Sequence, residues 1–405
     1  MKCKELIIKK KRNFLLSFYC AVLLGLSSCA PQSYILEGKE VHVVPEIVFA
    51  QKELKQLSIS GTSIEVFPDK LSTLKKLKRL DLSNNKLCKV PSFLGKLTHL
   101  RELSLANNGL HQMATTAPIW DINYVERLAK EEAYAYQEYL DTNRSQQLSS
   151  IAASKATTLS KDINYIQLLK DRSSWNSKAI HFPRTPEHMQ YIQAIFDKDL
   201  EAFPQEINQL TQLKSLELQG NLYTDAFVKG LDPVALKELK TLNLSNNALI
   251  TFPMHLGKLK QLESLDLSHN AIETLPDNIQ GFEQLKYLDL SHTHIYIIPR
   301  SLEKLEYLES LNLSHLGGLK LSKAVGKLHH LKSLDLNNAS FEALPLNIGD
   351  LQQLEYLNLK GSRIKDLPEG FKTLKNLKKI VLSEDQQKIR AQIKKHLPNC
   401  EIVIL

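Results

Sequence analysis

Cysteine is scarce in this chain, with five in 405 residues. Cys3 and Cys20 fall near the start, Cys29 closes the apolar run that follows, and Cys88 and Cys400 lie far apart. Such a set cannot staple a fold, because a disulfide needs Cα atoms about 6 Å apart. No paired-Cys metal motif is present either. A dispersed charge surplus is also missing. The formal net charge is +8, but Lys2, Lys4, Lys9, Lys10, Lys11 and Arg12, set against Glu5, supply +5 of it. The +3 that remains gives no electrostatic argument for nucleic acid, whose recognition rests on clustered phosphate-contacting cations. There is no glycine-rich phosphate loop, no H-E-x-x-H and no G-x-S-x-G, so neither catalysis nor a metal or cofactor is expected. The apolar run Phe14 to Leu26 is 13 residues long, well short of the ~20 that cross a bilayer as a helix.

What the chain does have begins with that run. A basic stretch, a short apolar core and then Leu26-Ser27-Ser28-Cys29 form a secretory leader. The last four residues resemble the bacterial lipobox. The resemblance implies acylation of the Cys29 thiol, cleavage between Ser28 and Cys29, and a mature protein held at a membrane by lipid. Ala30 follows the cysteine instead of Asp, and in a two-membrane bacterium the same resemblance then implies the outer membrane. An ordinary secretory cut after Ala30 is the alternative.

The body of the chain is periodic. Aligned on L-x-x-L-x-L-x-x-N-x-L, copies begin at Leu54, Leu77 and Leu100, then at Leu213, Leu239, Leu262, Leu285, Leu308, Leu331, Leu354 and Leu377. Apart from the break after Leu100, the spacing is 23 residues with one step of 26. Degenerate copies in phase at Pro31 and Gln190 bring the expectation to 13 turns. Leucines at positions 4 and 6 alternate across a short strand and point one way. One turn cannot bury them alone, so turns stack into a parallel sheet with a spacing of ~4.8 Å. Asn85, Asn108, Asn221, Asn247 and Asn270 at position 9 are expected to satisfy backbone groups where the chain leaves the strand. Thr293, Leu316, Ala339 and Ser362 break that series, which predicts looser turns near Leu316-Gly317-Gly318. Proline at position 14 suits the first position of a short convex helix or 3₁₀ turn.

Residues 31–110 and 190–405 together resemble the 23-residue leucine-rich-repeat family. The resemblance implies an α/β solenoid, a horseshoe with a parallel concave sheet, and a role in binding. The expected segments are a signal peptide over 1–28, repeats over 29–113 and 189–382, a helical insertion over 114–188, and a C-terminal cap over 383–405. Within the cap, Ile389, Ile393 and Leu397 form an i, i+4, i+8 stripe and a last strand follows. The insertion reads as a helical hairpin. Its Trp120, Tyr136, Tyr139 and Trp175 are residue types enriched at binding hot spots, although packing the hairpin onto the solenoid flank would use them equally well.

On the concave face, position 8 carries His269, His292 and His315 in consecutive turns, and position 5 carries Asp266, Asp289, Asn312 and Asp335. Tyr287 and Tyr356 stand at position 3. Parallel imidazoles diverge, so no metal is expected there. A ligand-contacting or pH-sensitive polar strip and a plain solvated face are the two readings of this pattern. A mixed polar surface suits a protein or glycan partner better than an apolar small molecule. The expected function is therefore non-catalytic binding at a bacterial envelope. An envelope scaffold joining resident proteins, or a cytoplasmic interaction protein if the leader is misread, are the alternatives.

Overall fold

The computed structural model describes residues 6–8, 32–110, 204–221, 223–279 and 281–405. Contacts divide the chain into Met1–Gln112 with Ala202–Leu405 and, separately, Met113–Glu201; everything described below belongs to the first unit. It holds one parallel sheet whose strand order follows the chain. The strands are β1 (Leu6–Ile8), β2 (Ser33–Glu37), β3 (Gln56–Ser60), β4 (Arg79–Asp81), β5 (Glu102–Ser104), β6 (Ser215–Glu217) and β7 (Thr241–Asn243). They continue as β8 (Ser264–Asp266), β9 (Tyr287–Asp289), β10 (Ser310–Asn312), β11 (Ser333–Asp335), β12 (Tyr356–Asn358), β13 (Lys379–Leu382) and β14 (Glu401–Ile404). Pairing is in register with the repeat, Leu265 opposite Leu288 and Leu288 opposite Leu311. Positions 1, 4 and 6 are therefore superposed from turn to turn. Leu262, Leu265 and Leu267 are all within 1% of full burial, as are Leu308, Leu311 and Leu313. Each such side chain contributes roughly 1.5–3 kcal/mol, and the rows form a single hydrophobic core running from Tyr34 to Cys400.

Two expectations need correction. The count of 13 turns is one too high, because β5 pairs directly with β6, Glu102 opposite Ser215, and no strand from the Gln190 copy intervenes. Pro204 instead leads into α2 (Gln205–Asn208). That segment completes the turn β5 opened, so the extra residues lie within one coil and not between two. Strands β2–β13 account for twelve turns. Proline at position 14 also does not start a helix from within. Pro68, Pro91 and Pro368 are extended N-caps preceding the 3₁₀ segments Asp69–Thr73, Ser92–Lys96 and Glu369–Thr373. A fixed φ near −65° serves an extended cap as well as a first helical residue.

Three local departures follow from sequence. The first turn carries α1 (Glu46–Ala50) on its far side. The 26-residue turn accommodates α3 (Asp225–Lys229), where Tyr223 and Phe227 stack with ring centroids 3.6 Å apart. In the turn containing Leu316 that side chain is fully buried, and Gly318 takes a φ of +68°. The backbone there is not loose. Ile297 bridges Lys320, with Ile298 N donating to Lys320 O at 3.2 Å and Lys320 N to Tyr296 O at 2.7 Å. At the C-terminal end α4 (Gln387–His396) buries Ile389 and Ile393, and β14 pairs with β13. Among the described residues no helix is long and apolar enough to cross a membrane.

Candidate functional site

The solvent face of the sheet is built by positions 2, 3, 5, 7 and 8, and position 8 sets its rim. Its residues have positive φ in turn after turn: Gly61, Asn84, Asn107, Gly220, Asn246, His269, His292, His315, Asn338 and Gly361, between 51° and 72°. Only glycine and a few short or polar residues, Asn, Asp and His among them, enter this region readily. The backbone requirement is a ladder: position 8 N–H donates to the position 7 carbonyl of the next turn, as from His269 to Ser291 at 2.9 Å and from His292 to Ser314 at 3.0 Å. Histidine at this position therefore has a conformational reason. The three imidazoles stack with centroids 4.0 Å apart and interplanar angles of 12° and 14°. Rings so stacked present edges to solvent and cannot direct three lone pairs at one ion. Among the described residues no group of three or more His, Cys, Asp and Glu side chains is placed to hold a metal.

Position 5 carries a second backbone duty. Asp266 Oδ1 accepts from Ser268 N at 2.9 Å, Asp289 from Ser291 N at 2.8 Å, Asn312 from Ser314 N at 3.0 Å, and Asp335 from Asn337 N at 2.8 Å. This is an Asx turn, which accepts Asp and Asn alike. The second oxygens join neighbouring turns, and Asp289 is itself buried. Asp289 Oδ2 accepts from the Tyr287 hydroxyl at 2.9 Å and from Asn312 Nδ2 at 2.8 Å, and Asp335 Oδ2 accepts from Asn358 Nδ2 at 3.2 Å. Burial raises the Asp266 carboxyl above its ordinary pKa, with the nearby Asp289 adding to the effect, and burial likewise raises Glu217. Tyr287 is pushed upward by burial and by Asp289, and Tyr356 by burial and Asp335. Both tyrosines are half-buried, with Ser264 and Ser310 beside Tyr287 and with Ser333 and Lys379 beside Tyr356. They stand as isolated aromatic projections above a hydroxyl and carboxylate floor.

Position 2 forms the opposite rim. From the sixth turn onward it alternates in sign: Lys240, Glu263, Lys286, Glu309, Lys332, Glu355, Lys378. Lys240 and Lys286 flank Glu263 at 2.6 and 2.8 Å, while Lys332 meets Glu309 at 2.7 Å and Lys378 meets Glu355 at 2.8 Å. Beneath the face, the position 9 asparagines are internal. Asn247 is fully buried, accepts from Asn221 N and Tyr223 N, and donates to Leu218 O, Leu244 O and Ser245 O. Asn85, Asn108, Asn221 and Asn270 make equivalent bonds. Where the series breaks, hydroxyls substitute: Thr293 and Ser362 each donate to a strand-exit carbonyl. In the last turn Gln386 reaches back to Ser362 Oγ at 2.9 Å. Cys88 and Cys400 are free thiols, and burial pushes Cys400 up to about 11. Cys29, Trp120, Tyr136, Tyr139 and Trp175 lie outside the described residues.

Comparisons agree with this architecture. Models described as leucine-rich repeat match residues 52–110 and 284–305, one described as two leucine-rich-repeat copies matches 237–280, and a leucine-rich repeat region matches 314–399. Similar solved structures include the internalin InlF of Listeria monocytogenes, 16% identical, TM-score 0.56, with 95% of this chain and 88% of that one covered. A TDR receptor is 18% identical with a TM-score of 0.51, covering 90% of this chain and 50% of that one. A PEPR1–AtPEP1 structure is 17% identical with a TM-score of 0.51, covering 93% and 41%. At these identities the likeness concerns the fold. No curated protein matches the sequence.

Proposed function

We propose that this chain, whose described part is a leucine-rich-repeat solenoid, is a non-catalytic binding protein that holds a protein or glycan partner along the solvent face of its sheet. The observation carrying this reading is the strip made by Tyr287, Tyr356, Asp266, Asp289, Asn312, Asp335 and the stacked His269, His292 and His315. It is open along its length and polar, with two aromatic projections. An extended strip of this sort suits a macromolecular ligand, because enclosed concave sites are the usual habitat of small molecules. Two tyrosines at low conformational-entropy cost are the natural anchors, with the carboxylates and imidazoles giving orientation. The PEPR1–AtPEP1 structure pairs a similar fold with a second protein component, which supports a protein partner here.

The leader reading extends the proposal. Acylated Cys29 would hold the solenoid at a bacterial membrane, the outer one by the Ala30 argument, with the partner outside the cytoplasm. On this reading β1 belongs to the removed leader, and maturation ends its pairing with β2. The binding reading is tested with a photo-crosslinking residue placed at Tyr287 or Tyr356, or at the convex Lys304 as the control, in live cells. Discrete adducts at the two tyrosine positions and none at Lys304 are expected. Equal adducts at all three positions would remove the case for a specific face.

A further inference from the structure

Position 2 of the second to fifth turns is occupied by cations alone. Lys55, Lys78, Arg101 and Lys214 follow one another in register on β3 to β6 and their approaches, about 4.8 Å apart, and Lys240 comes next. The row is not neutralised from the side. Among the neighbouring carboxylates Glu53 pairs with Lys76, Glu102 with Arg79 and Glu263 with Lys240, while Glu238 lines the same depression as Arg101 and Lys214 without pairing with either. Lys55, Lys78, Arg101 and Lys214 have no ion-pair partner among the described residues. In the later turns every second position 2 residue is a glutamate and the same rim is balanced. The near-neutral total thus conceals a segregation: one half of this rim is basic and the other is self-paired. Stacked like charges repel, an arrangement relieved when an anionic surface approaches.

The head of the row locates that surface. Gln32 holds position 2 of the first turn, and its carbonyl accepts from Lys55 N and Gln56 N at 2.9 Å. Cys29 is three residues upstream of Gln32 in the sequence, a length of chain that reaches at most about 11 Å. The chain therefore enters the solenoid at the basic rim. A lipid on Cys29 would bring this rim, and not the balanced one farther along, to the headgroups. We infer that Lys55, Lys78, Arg101 and Lys214 form an electrostatic contact with anionic lipid headgroups that acts together with the Cys29 anchor. The inference rests on the lipoprotein reading for its geometry. A diffuse row of unpaired cations on an exposed rim suits a fluid anionic surface, which needs charge without shape complementarity. An acidic polypeptide is the competing occupant, and the test separates the two.

The full chain carrying Cys29→Ser, which cannot be acylated, is mixed with phosphatidylcholine vesicles with or without about 30% phosphatidylglycerol, at a lipid concentration that half-binds it. A second protein adds Lys55→Gln, Lys78→Gln, Arg101→Gln and Lys214→Gln. A third adds Lys286→Gln, Lys332→Gln, Lys378→Gln and Lys379→Gln, removing the same charge from the later turns, three of the four residues standing on the balanced rim. The leader is common to all three, and circular dichroism verifies that each is folded. The expected result is a loss on the order of 1000-fold in partitioning to the anionic vesicles for the second protein, little change for the third, and weak salt-insensitive binding to neutral vesicles throughout. Equal partitioning of the second and third proteins overturns the inference. So does row-dependent binding of polyglutamate without row-dependent binding of vesicles, which would assign the rim to an acidic polypeptide. Mass measurement of the chain recovered from bacterial membranes tests the Cys29 reading separately: an unmodified thiol would sink the anchor while leaving the vesicle result to be judged alone.

Discussion

Replacing Asn247 with alanine is the sharpest test of what holds the turns in register. Its amide is fully buried, and its Oδ1 is the acceptor for two backbone donors of the preceding turn, Asn221 N at 3.1 Å and Tyr223 N at 3.0 Å. The carbonyls it serves keep a second partner. Leu218 O also accepts from Asn221 Nδ2 at 3.0 Å, and Leu244 O from Asn270 Nδ2 at 2.9 Å. The loss is therefore mainly two buried N–H groups without acceptors, at ~1–3 kcal/mol each, or about 2–6 kcal/mol in all. Urea unfolding followed by circular dichroism measures the total. Amide exchange locates it, because a solenoid distributes stability between nearest neighbours, so Asn221 and Tyr223 should lose protection first. A destabilisation below about 1 kcal/mol, or a protection loss spread evenly over all turns, would refute the reasoning.

Other substitutions probe separate features. At position 8, His292→Val should cost about 1–2 kcal/mol in thermal stability because a β-branched residue resists positive φ, while His292→Asn should be near neutral; equal effects would contradict the conformational account. Asp266→Asn keeps the acceptor that Ser268 N needs, as Asn312 does in its own turn. Burial raises the folded pKa of Asp266 above its ordinary value of 3.8, so the stability it contributes is present at low pH and lost as pH rises through the folded value. The Asn variant should therefore be the more stable at neutral pH and show no advantage below the ordinary carboxylate range, as thermal melts at the two pH values would reveal. Leu242→Ala, at a fully buried position 4, should cost about 2–5 kcal/mol by urea titration. Glu355→Gln, half-exposed beside Lys378, should change stability by less than about 1 kcal/mol.

Much of this was legible in the sequence because a repeat states each structural requirement many times. The leucine register, the parallel sheet and the stripe of Ile389 and Ile393 follow from apolar spacing alone. Features that depend on backbone conformation were harder to see. Histidines in consecutive turns invite a chemical reading, and only a column written as Gly, Asn, Asn, Gly, Asn, His reveals that position 8 needs positive φ. That column was available in the register. The Asx role of position 5 was open to the same comparison, since Asp and Asn interchange there. Net charge misled in another way, by averaging a basic rim with a balanced one. The Gln190 copy was in phase by counting, but pairing of Glu102 with Ser215 shows that phase alone does not place a strand in the sheet. Gln386 fell one residue beyond the asparagine column and so went unread.

The alternating Lys–Glu rim has a consequence for how the chain assembles. Coils so alike in composition run the hazard of docking onto the wrong neighbour, since the leucine rows would accept a skipped coil almost as well as the proper one. Parity of charge removes that degeneracy. A coil stacked one place out would bring Glu263 against Glu309, or Lys286 against Lys332, turning attraction into repulsion along the rim. The early coils have no such bookkeeping of sign, so errors of stacking are best guarded against where the later coils join, and least where the basic row begins.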